Sequence, residues 1–361
     1  MRAGAAAGPD ARGSRRPGYR RRDVGCGSSA GDSPVSAVTP ADVLCAAAFL
    51  RGRVPVTPLE EAPGLSDGSG CDVRLKLECF QRSGSFKIRG ALAALAGRHG
   101  QGEIVITASA GNHALAMAAA ASEIGMRARI HVPASVDPAK LARLRRFVEP
   151  VEVVVVNGSY DDSERAARAA TASTPGARFV SSYNDPDVIA GQGTIALEIL
   201  EQWPEVEAVV VPVGGGGLIS GVGLVIKSAA PWVRVVGAEP AASCALASSL
   251  AAGHVVRIPE GGHSIADCLV GNLDPESITV PLAGRYADEI VLVEEDEIRT
   301  AVKRLYDVVA LVVEPSGAAA LAALGSARSL AGLQRIACVL TGRNVAAATH
   351  RAAIGLPAGP E

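Results

Sequence analysis

The sequence predicts an α/β fold with mostly parallel strands, on three observations. From residue 104 onward, short β-branched runs alternate with alanine-rich stretches. "IVIT" precedes a helical stretch from Asn112, "RARIHV" one near Pro138, "EVVVV" one near Asp161 and "EAVVVPV" one near Leu218. A parallel strand needs such a crossover, because the chain must return to the same end of the sheet before the next strand begins. Second, the 361 residues are 48% hydrophobic and 20% charged, the balance of a chain with a full core and one large or two medium domains. Third, "EVVVV" and "AVVVPV" stop far short of the ~18 to 20 apolar residues that cross a bilayer, so they read as buried strands and no membrane partner is expected. Periodicity alone leaves the number of sheets open.

Composition narrows the partners. A net charge of −2 and 3% aromatic residues give no basic face with interleaved stacking groups, which argues against nucleic acid and for a small metabolite. The seven cysteines are scattered and never spaced as C-x-x-C, which suits a reducing cytoplasm and offers no metal site.

Taken in order, the chain opens with 34 residues holding seven Arg, no Lys, three Asp and many Gly, Ser and Pro. Such a segment buries too little apolar surface to offset its ordering entropy, so residues 1–34 are expected to form a disordered arm. Order is expected to begin near "TPADVLCAAAF", where Thr39 can cap a helix with Pro40 at its first position. Next, "VRLKLECF" reads as a strand and is followed by "SGSFKIRGA". There Lys87 stands between Phe86 and Ile88, ringed by Ser83, Gly84, Ser85 and Gly90. Further on, "VVVPVGGGGLISG" places Gly214, Gly215, Gly216 and Gly217 between a buried strand and a helix. Glycine lets a backbone approach an anion closely, and exposed amides with the helix dipole attract phosphate. The run is neither a P-loop, because Ile226 precedes Lys227 and Ser228, nor a convincing dinucleotide fingerprint, because Glu239 is followed by Pro240. A bare phosphate monoester fits better. A lysine in an apolar setting, a separate phosphate cradle and an α/β scaffold together suggest pyridoxal phosphate.

On the motifs "SGSFKIRGA", "TASAGNHALA", "IAGQGTIALEI", "VPVGGGGLISG", "GAEP", "SIAD", "EEDEI" and "VEPSGAAALAAL", the chain resembles the threonine/serine dehydratase and serine racemase group. That group belongs to the tryptophan-synthase-β-like (fold type II) pyridoxal-phosphate enzymes, and the motifs occur in its order over roughly residues 40 to 350. The resemblance implies two domains, each an open, mostly parallel sheet flanked by helices, with the active site in the cleft between them. The small, substrate-loop domain would span 104–185, and the large, cofactor-binding domain would combine 35–103 with 186–361. The C-terminal regulatory domain of biosynthetic threonine dehydratases is not expected. A homodimer is implied as well.

Residue by residue, the resemblance implies that Lys87 holds the cofactor as a Schiff base and then takes the Cα proton. That role needs a neutral amine, which an apolar neighbourhood favours. Phe86 would pack on the cofactor ring, Asn112 would donate to its phenolic oxygen and Thr341 would face its ring nitrogen. Gly214 to Gly217 with Leu218 would bind the phosphate end. Ser109, a catalytic candidate, would hold the substrate together with Gly111, Asn112 and His113 at a helix N-terminus. Ala110 stands where the racemases have a second serine, and a methyl group cannot exchange a proton, so elimination is favoured. The expected activity is that of a dehydratase (ammonia-lyase) acting on L-threonine or L-serine. Alternatives are a less common substrate (threo-3-hydroxyaspartate, phenylserine or an amino acid of the hydroxyectoine type), a β-replacement synthase, or an amino-acid racemase.

Three positions depart from the pattern. Cys268 replaces a glycine near the cofactor edge. Arg343 replaces a small residue beside Thr341, either as a surface group or as a contact for a second acidic group on the substrate. Glu239 matches a metal ligand of the racemases, but Ala245 stands where its acidic companion is expected, so any divalent-cation site should be weakened or lost. Asn184 is expected to line the cleft.

Overall fold

The computed structural model describes residues 19–20, 38–65, 71–96, 103–136, 138–259 and 262–357. Its elements begin with β1 (Tyr19–Arg20), α1 (Pro40–Leu50), β2 (Leu59–Glu61), β3 (Asp72–Lys76) and α2 (Lys87–Leu95). There follow β4 (Ile104–Ala108), α3 (Asn112–Ile124), β5 (Arg127–Pro133), α4 (Pro138–Leu144), β6 (Val151–Val156), α5 (Tyr160–Ser173) and β7 (Ala177–Phe179). Then come α6 (Pro186–Gln202), β8 (Ala208–Pro212), α7 (Gly217–Ala229), β9 (Arg234–Pro240), α8 (Ala245–Ala252) and α9 (Thr279–Tyr286). The chain closes with β10 (Glu289–Val293), α10 (Glu295–Val309), α11 (Pro315–Ala322), β11 (Arg335–Val339) and α12 (Ala347–Ala353). Among the described residues, no helix is long and apolar enough to cross a membrane.

Local chemistry sets the first ordered helix. Thr39 accepts the Asp42 amide and Asp42 reaches back to the Thr39 amide, a reciprocal cap with Pro40 at the first turn. In the leader, Tyr19–Arg20 pairs antiparallel with β10, a contact that the expectation of a disordered arm did not include. A free sheet edge offers unpaired backbone groups to any nearby extended segment. The remainder of residues 1–34 lies outside the described residues.

Two sheets form. One has the order β1-β10-β9-β8-β11-β3-β2, and only its outer strands β1 and β2 run antiparallel. The other, β6-β5-β4-β7, is wholly parallel. Strand β8 shows why its sequence lacks a polar alternation. Val209 and Val211 pack with Ile189 and Ile195 of α6 and Ile219 of α7, whereas Ala208 and Val210 pack on the opposite face with Ile298 of α10 and Leu321 of α11. A strand covered on both faces must be apolar at every position. In the small sheet Val105 faces Leu115 of α3 and Leu92 of α2, while Ile104 and Ile106 face Ala167 of α5.

Both sheets reverse direction of build-up. The chain runs outward from β4 to β5 and β6, then returns to β7 on the other side; likewise it runs from β8 to β9 and β10, then returns to β11. Crevices at the carboxyl ends of strands beside such reversals are where open α/β sheets take ligands. Helix α6 ties the two key loops together through close contacts. A Cβ on Gly191 would stand 2.7 Å from the Arg89 carbonyl of α2, and one on Gly193 would stand 2.9 Å from the Gly221 carbonyl of α7.

Buried charge fixes α2 in place. Arg89, 1% exposed, donates to Glu78 at 2.7 and 2.8 Å and to Glu198 at 2.6 and 2.8 Å. Lys76, also buried, donates to Glu198, Gln202 and the Thr57 carbonyl. Removing one partner of a buried pair leaves the other unsolvated, so Arg89→Met should cost about 3–5 kcal/mol in urea unfolding. The double replacement Arg89→Met with Glu78→Leu should recover much of that loss. A single-variant loss below ~1 kcal/mol would show that the network does not anchor α2.

Candidate active site

Loops leaving the carboxyl ends of β3, β4, β8 and β11 converge on two adjoining cavities. The first is lined by Phe86, Lys87, Asn112, Gly214 to Gly217, Leu218 and Thr341, with Tyr183, Cys268, Glu314 and Ser316. The second, a cleft of about 450 Å³, is lined by Lys87, Ser109, Ala110, Gly111, Asn112 and His113, with Tyr160, Lys140 and Asp267 also on its wall. Lys87 and Asn112 border both. Every residue expected to hold the cofactor or the substrate carboxylate therefore falls on one or both of these cavities.

Lys87 opens α2, and the turn before it is fastened to the end of β11. The Phe86 amide donates to the Thr341 carbonyl at 3.0 Å, and Ser85 bridges to Gly342. Gly84 holds φ +78°, a conformation side chains disfavour, and a Cβ there would collide with Asn344. The Lys87 amine donates to the Ser182 carbonyl at 2.8 Å and lies 5.1 Å from the centroid of the Phe86 ring. Burial pulls its pKa down to about 8, with the Cys268 thiol acting in the opposite direction. A substantial neutral fraction at physiological pH leaves this amine able to act as a nucleophile or a base.

The glycine run turns directly into α7. A Cβ on Gly215 would collide with the Tyr183 ring, one on Gly214 would stand 3.0 Å from Leu269 Cα, and Gly216 holds φ +85°. Larger residues would fill the cradle, which leaves backbone amides and a helix N-terminus facing the cavity. Beside it, Ser109 accepts the Gly111 amide at 3.2 Å ahead of α3. Burial pushes the His113 imidazole down to about 3, and the nearby Lys87 adds to this, so His113 is neutral here. An amine able to attack a carbonyl, an anion cradle, an aromatic face and a neutral hydroxyl fit a phosphorylated pyridine aldehyde.

One departure from the sequence expectation emerges, at Asn184. Asn184 does not line the cavities; its side chain instead accepts the Ile278 amide at 2.9 Å, and its neighbour Tyr183 lines both. Arg343 is exposed, stacks 5.3 Å from the Phe80 ring and borders neither cavity, which supports the surface reading over the substrate contact. The Glu239 carboxyl accepts the Leu246 and Ala247 amides at 2.8 Å, so it caps α8, and burial pushes it up to about 8. Among the described residues no cluster of three acidic, His or Cys side chains is placed to hold a metal ion. Cys268 does lie at the seam, lining both cavities, with Sγ 3.9 Å from Asn112 Nδ2.

Sequence reasoning missed Glu314, which is 3% exposed, borders the first cavity and accepts from Asn112 Nδ2 at 2.5 Å. Its place before Pro315 at a helix start was the available signal, although an acid there reads equally as a cap.

The family model described as pyridoxal-phosphate dependent enzyme matches residues 50–342. An L-threonine ammonia-lyase of Thermotoga maritima is 39% identical over 310 residues, covering 85% of this chain and 76% of its own. A serine racemase of Arabidopsis thaliana is 38% identical over 296 residues, covering 80% of this chain and 88% of its own. The solved structure of maize serine racemase superposes with a TM-score of 0.80 at 32% identity, covering 87% of this chain and 95% of that one. The processed form of threonine deaminase isoform 2 from Solanum lycopersicum also gives 0.80, at 30% identity, with 93% of this chain and 92% of that one covered. The chain thus belongs to the pyridoxal-phosphate dependent enzymes of fold type II, and pyridoxal phosphate is its cofactor.

Proposed function

We propose that this enzyme is an ammonia-lyase that removes the β-hydroxyl of an amino acid such as L-threonine or L-serine and yields a 2-oxo acid and ammonia. The bound cofactor supplies an electron sink that acidifies the substrate's Cα proton. Amides of Gly214 to Gly217, at the start of α7 and next to Leu218, would hold its phosphate, and Phe86 would cover one face of its ring. Thr341 would face the ring nitrogen with a hydroxyl, which does not keep that nitrogen protonated as a carboxylate would. Asn112 would donate to the phenolic oxygen.

On the substrate side, the Ser109 hydroxyl and the amides at the start of α3 would hold the carboxylate and so fix Cα near Lys87. The Lys87 amine, poorly solvated, would take the Cα proton. His113, neutral at working pH, would act by position. Ala110 is the observation that carries elimination over racemisation. It lines the cleft between Ser109 and Gly111 and would present a methyl group where inversion needs a second proton carrier. The similar proteins include both threonine ammonia-lyases and serine racemases, so their names support the chemistry of the Cα proton and leave the outcome to this residue.

Incubation with L-threonine, L-serine, threo-3-hydroxyaspartate and 3-phenylserine should release ammonia from at least one, much faster than chirality is lost. Chirality lost from L-serine faster than ammonia appears would overturn the reading. Ala110→Ser should raise racemisation of L-serine at least ~10-fold, since a placed acid or base is typically worth 10²- to 10⁴-fold. A second expectation concerns pH. Only the neutral Lys87 amine can attack an aldehyde, and its pKa is lowered to about 8, so cofactor uptake by apoprotein should accelerate as pH rises through about 8 and then level off. Stopped-flow absorbance would follow it, and a rate still climbing above about pH 10 would mean the amine is solvated.

A further inference from the structure

Cys268 borders both the Lys87 amine and the loop that opens α3. A Cβ added to Gly111 would stand 3.5 Å from its Sγ, an ordinary van der Waals contact, and Asn112 Nδ2 lies 3.9 Å away. The thiol also acts electrostatically on Lys87, and the two side chains line the same two cavities.

The turn that carries this sulfur is held on several sides. The Cys268 amide donates to Ser316 Oγ at 3.1 Å, and the Leu269 amide donates to the Ala266 carbonyl at 2.9 Å. On one flank Asp267 pairs with Lys140 of α4 at 2.6 Å. On the other, a Cβ on Gly214 would stand 3.0 Å from Leu269 Cα, so the turn is packed against the glycine run. A cysteine has a single heavy-atom torsion with three staggered settings, so a sulfur on such a backbone has few places to go.

Two attachments decide how a substrate would meet it. In the function proposed above, the carboxylate lies at Ser109 and the amides opening α3, and Cα lies within reach of Lys87 Nζ. Sγ borders both of these points and therefore flanks the bond from Cα to Cβ. A second substituent on Cβ has to displace either the sulfur or the Gly111 backbone. A Cβ that carries the hydroxyl alone displaces neither.

We propose that Cys268 is a specificity-determining residue that admits β-hydroxy amino acids unbranched at Cβ, as L-serine is, and disfavours branched ones such as L-threonine and 3-phenylserine. The assignment rests on the substrate placement of the proposed function. Its size is that of steric selection, in which one carbon too many in a pocket changes kcat/KM by about 10- to 200-fold.

Two measurements on the holoenzyme test it in wild type, Cys268→Gly, Cys268→Ala and Cys268→Val. One is kcat/KM for ammonia release from L-serine, L-threonine and 3-phenylserine. The other is the equilibrium binding of L-2-aminobutyrate against L-valine, followed by the absorption of the bound cofactor; these differ in branching at Cβ, and neither has a β-hydroxyl to lose. Wild type should favour L-serine over L-threonine, and L-2-aminobutyrate over L-valine, by at least ~10-fold each. Cys268→Gly should reduce both preferences about tenfold and Cys268→Ala by less. Cys268→Val, which keeps the bulk without the sulfur, should retain them. Preferences unchanged in Cys268→Gly, or lost in Cys268→Val, would overturn the inference, as would a wild type that takes L-threonine as readily as L-serine. A change in cofactor affinity with both preferences unmoved would overturn it as well, by setting the sulfur against the cofactor alone. If no substrate released ammonia while the binding preference still fell in Cys268→Gly, the lyase reading would fail and the role of Cys268 would stand.

Discussion

The structure is organised around an amine that the protein declines to solvate. Lys87 Nζ has a single carbonyl partner, that of Ser182, and among the described residues no carboxylate is ion-paired with it. Removing an ammonium from water without a counter-charge favours its neutral form. The packing that achieves this is specific. The turn before Lys87 is bonded to the end of β11, α2 lies against the glycines of α6, and the same helix α6 carries α7 and its glycine loop on its other side. Lys87 and the glycine run are thus set in one closely packed seam of helices.

Two residues farther along α2 the opposite treatment is applied. Arg89 is almost fully buried, yet Glu78 and Glu198 surround its guanidinium, and Lys76 joins the same cluster. Arg89 and Lys76 are given carboxylates, and Lys87, at the cavity, is given none among the described residues. Glu314 shows the same logic with reversed sign: a buried acid bonded to the Asn112 amide, with no direct ion pair among the described residues, its carboxyl pushed up to about 7 by burial.

Much of this was legible in the chain. Alternation of β-branched runs with alanine-rich stretches reports sheets covered on both faces, because burial on both sides leaves no polar position to disguise the pattern. The glycine run announced a close approach of backbone at a strand-to-helix turn, since nothing larger fits beside Tyr183 and Leu269. Less legible were contacts made across long separations. Whether Asn184 or Tyr183 faces the cleft depends on a one-residue rotation set by the Ile278 amide, far along the chain. The partnership of Glu314 with Asn112 spans 202 residues, and no local spacing encodes it. Glu239 accepts the Leu246 and Ala247 amides at the start of α8, a contact that its place in the sequence did not announce.

The covalent attachment point is the feature most open to direct measurement. Borohydride treatment of the purified holoprotein, followed by proteolysis and mass spectrometry, should leave one reduced cofactor adduct on the peptide carrying Lys87. An adduct on Lys76, Lys140 or Lys227 in its place, or none at all, would contradict the assignment of this amine.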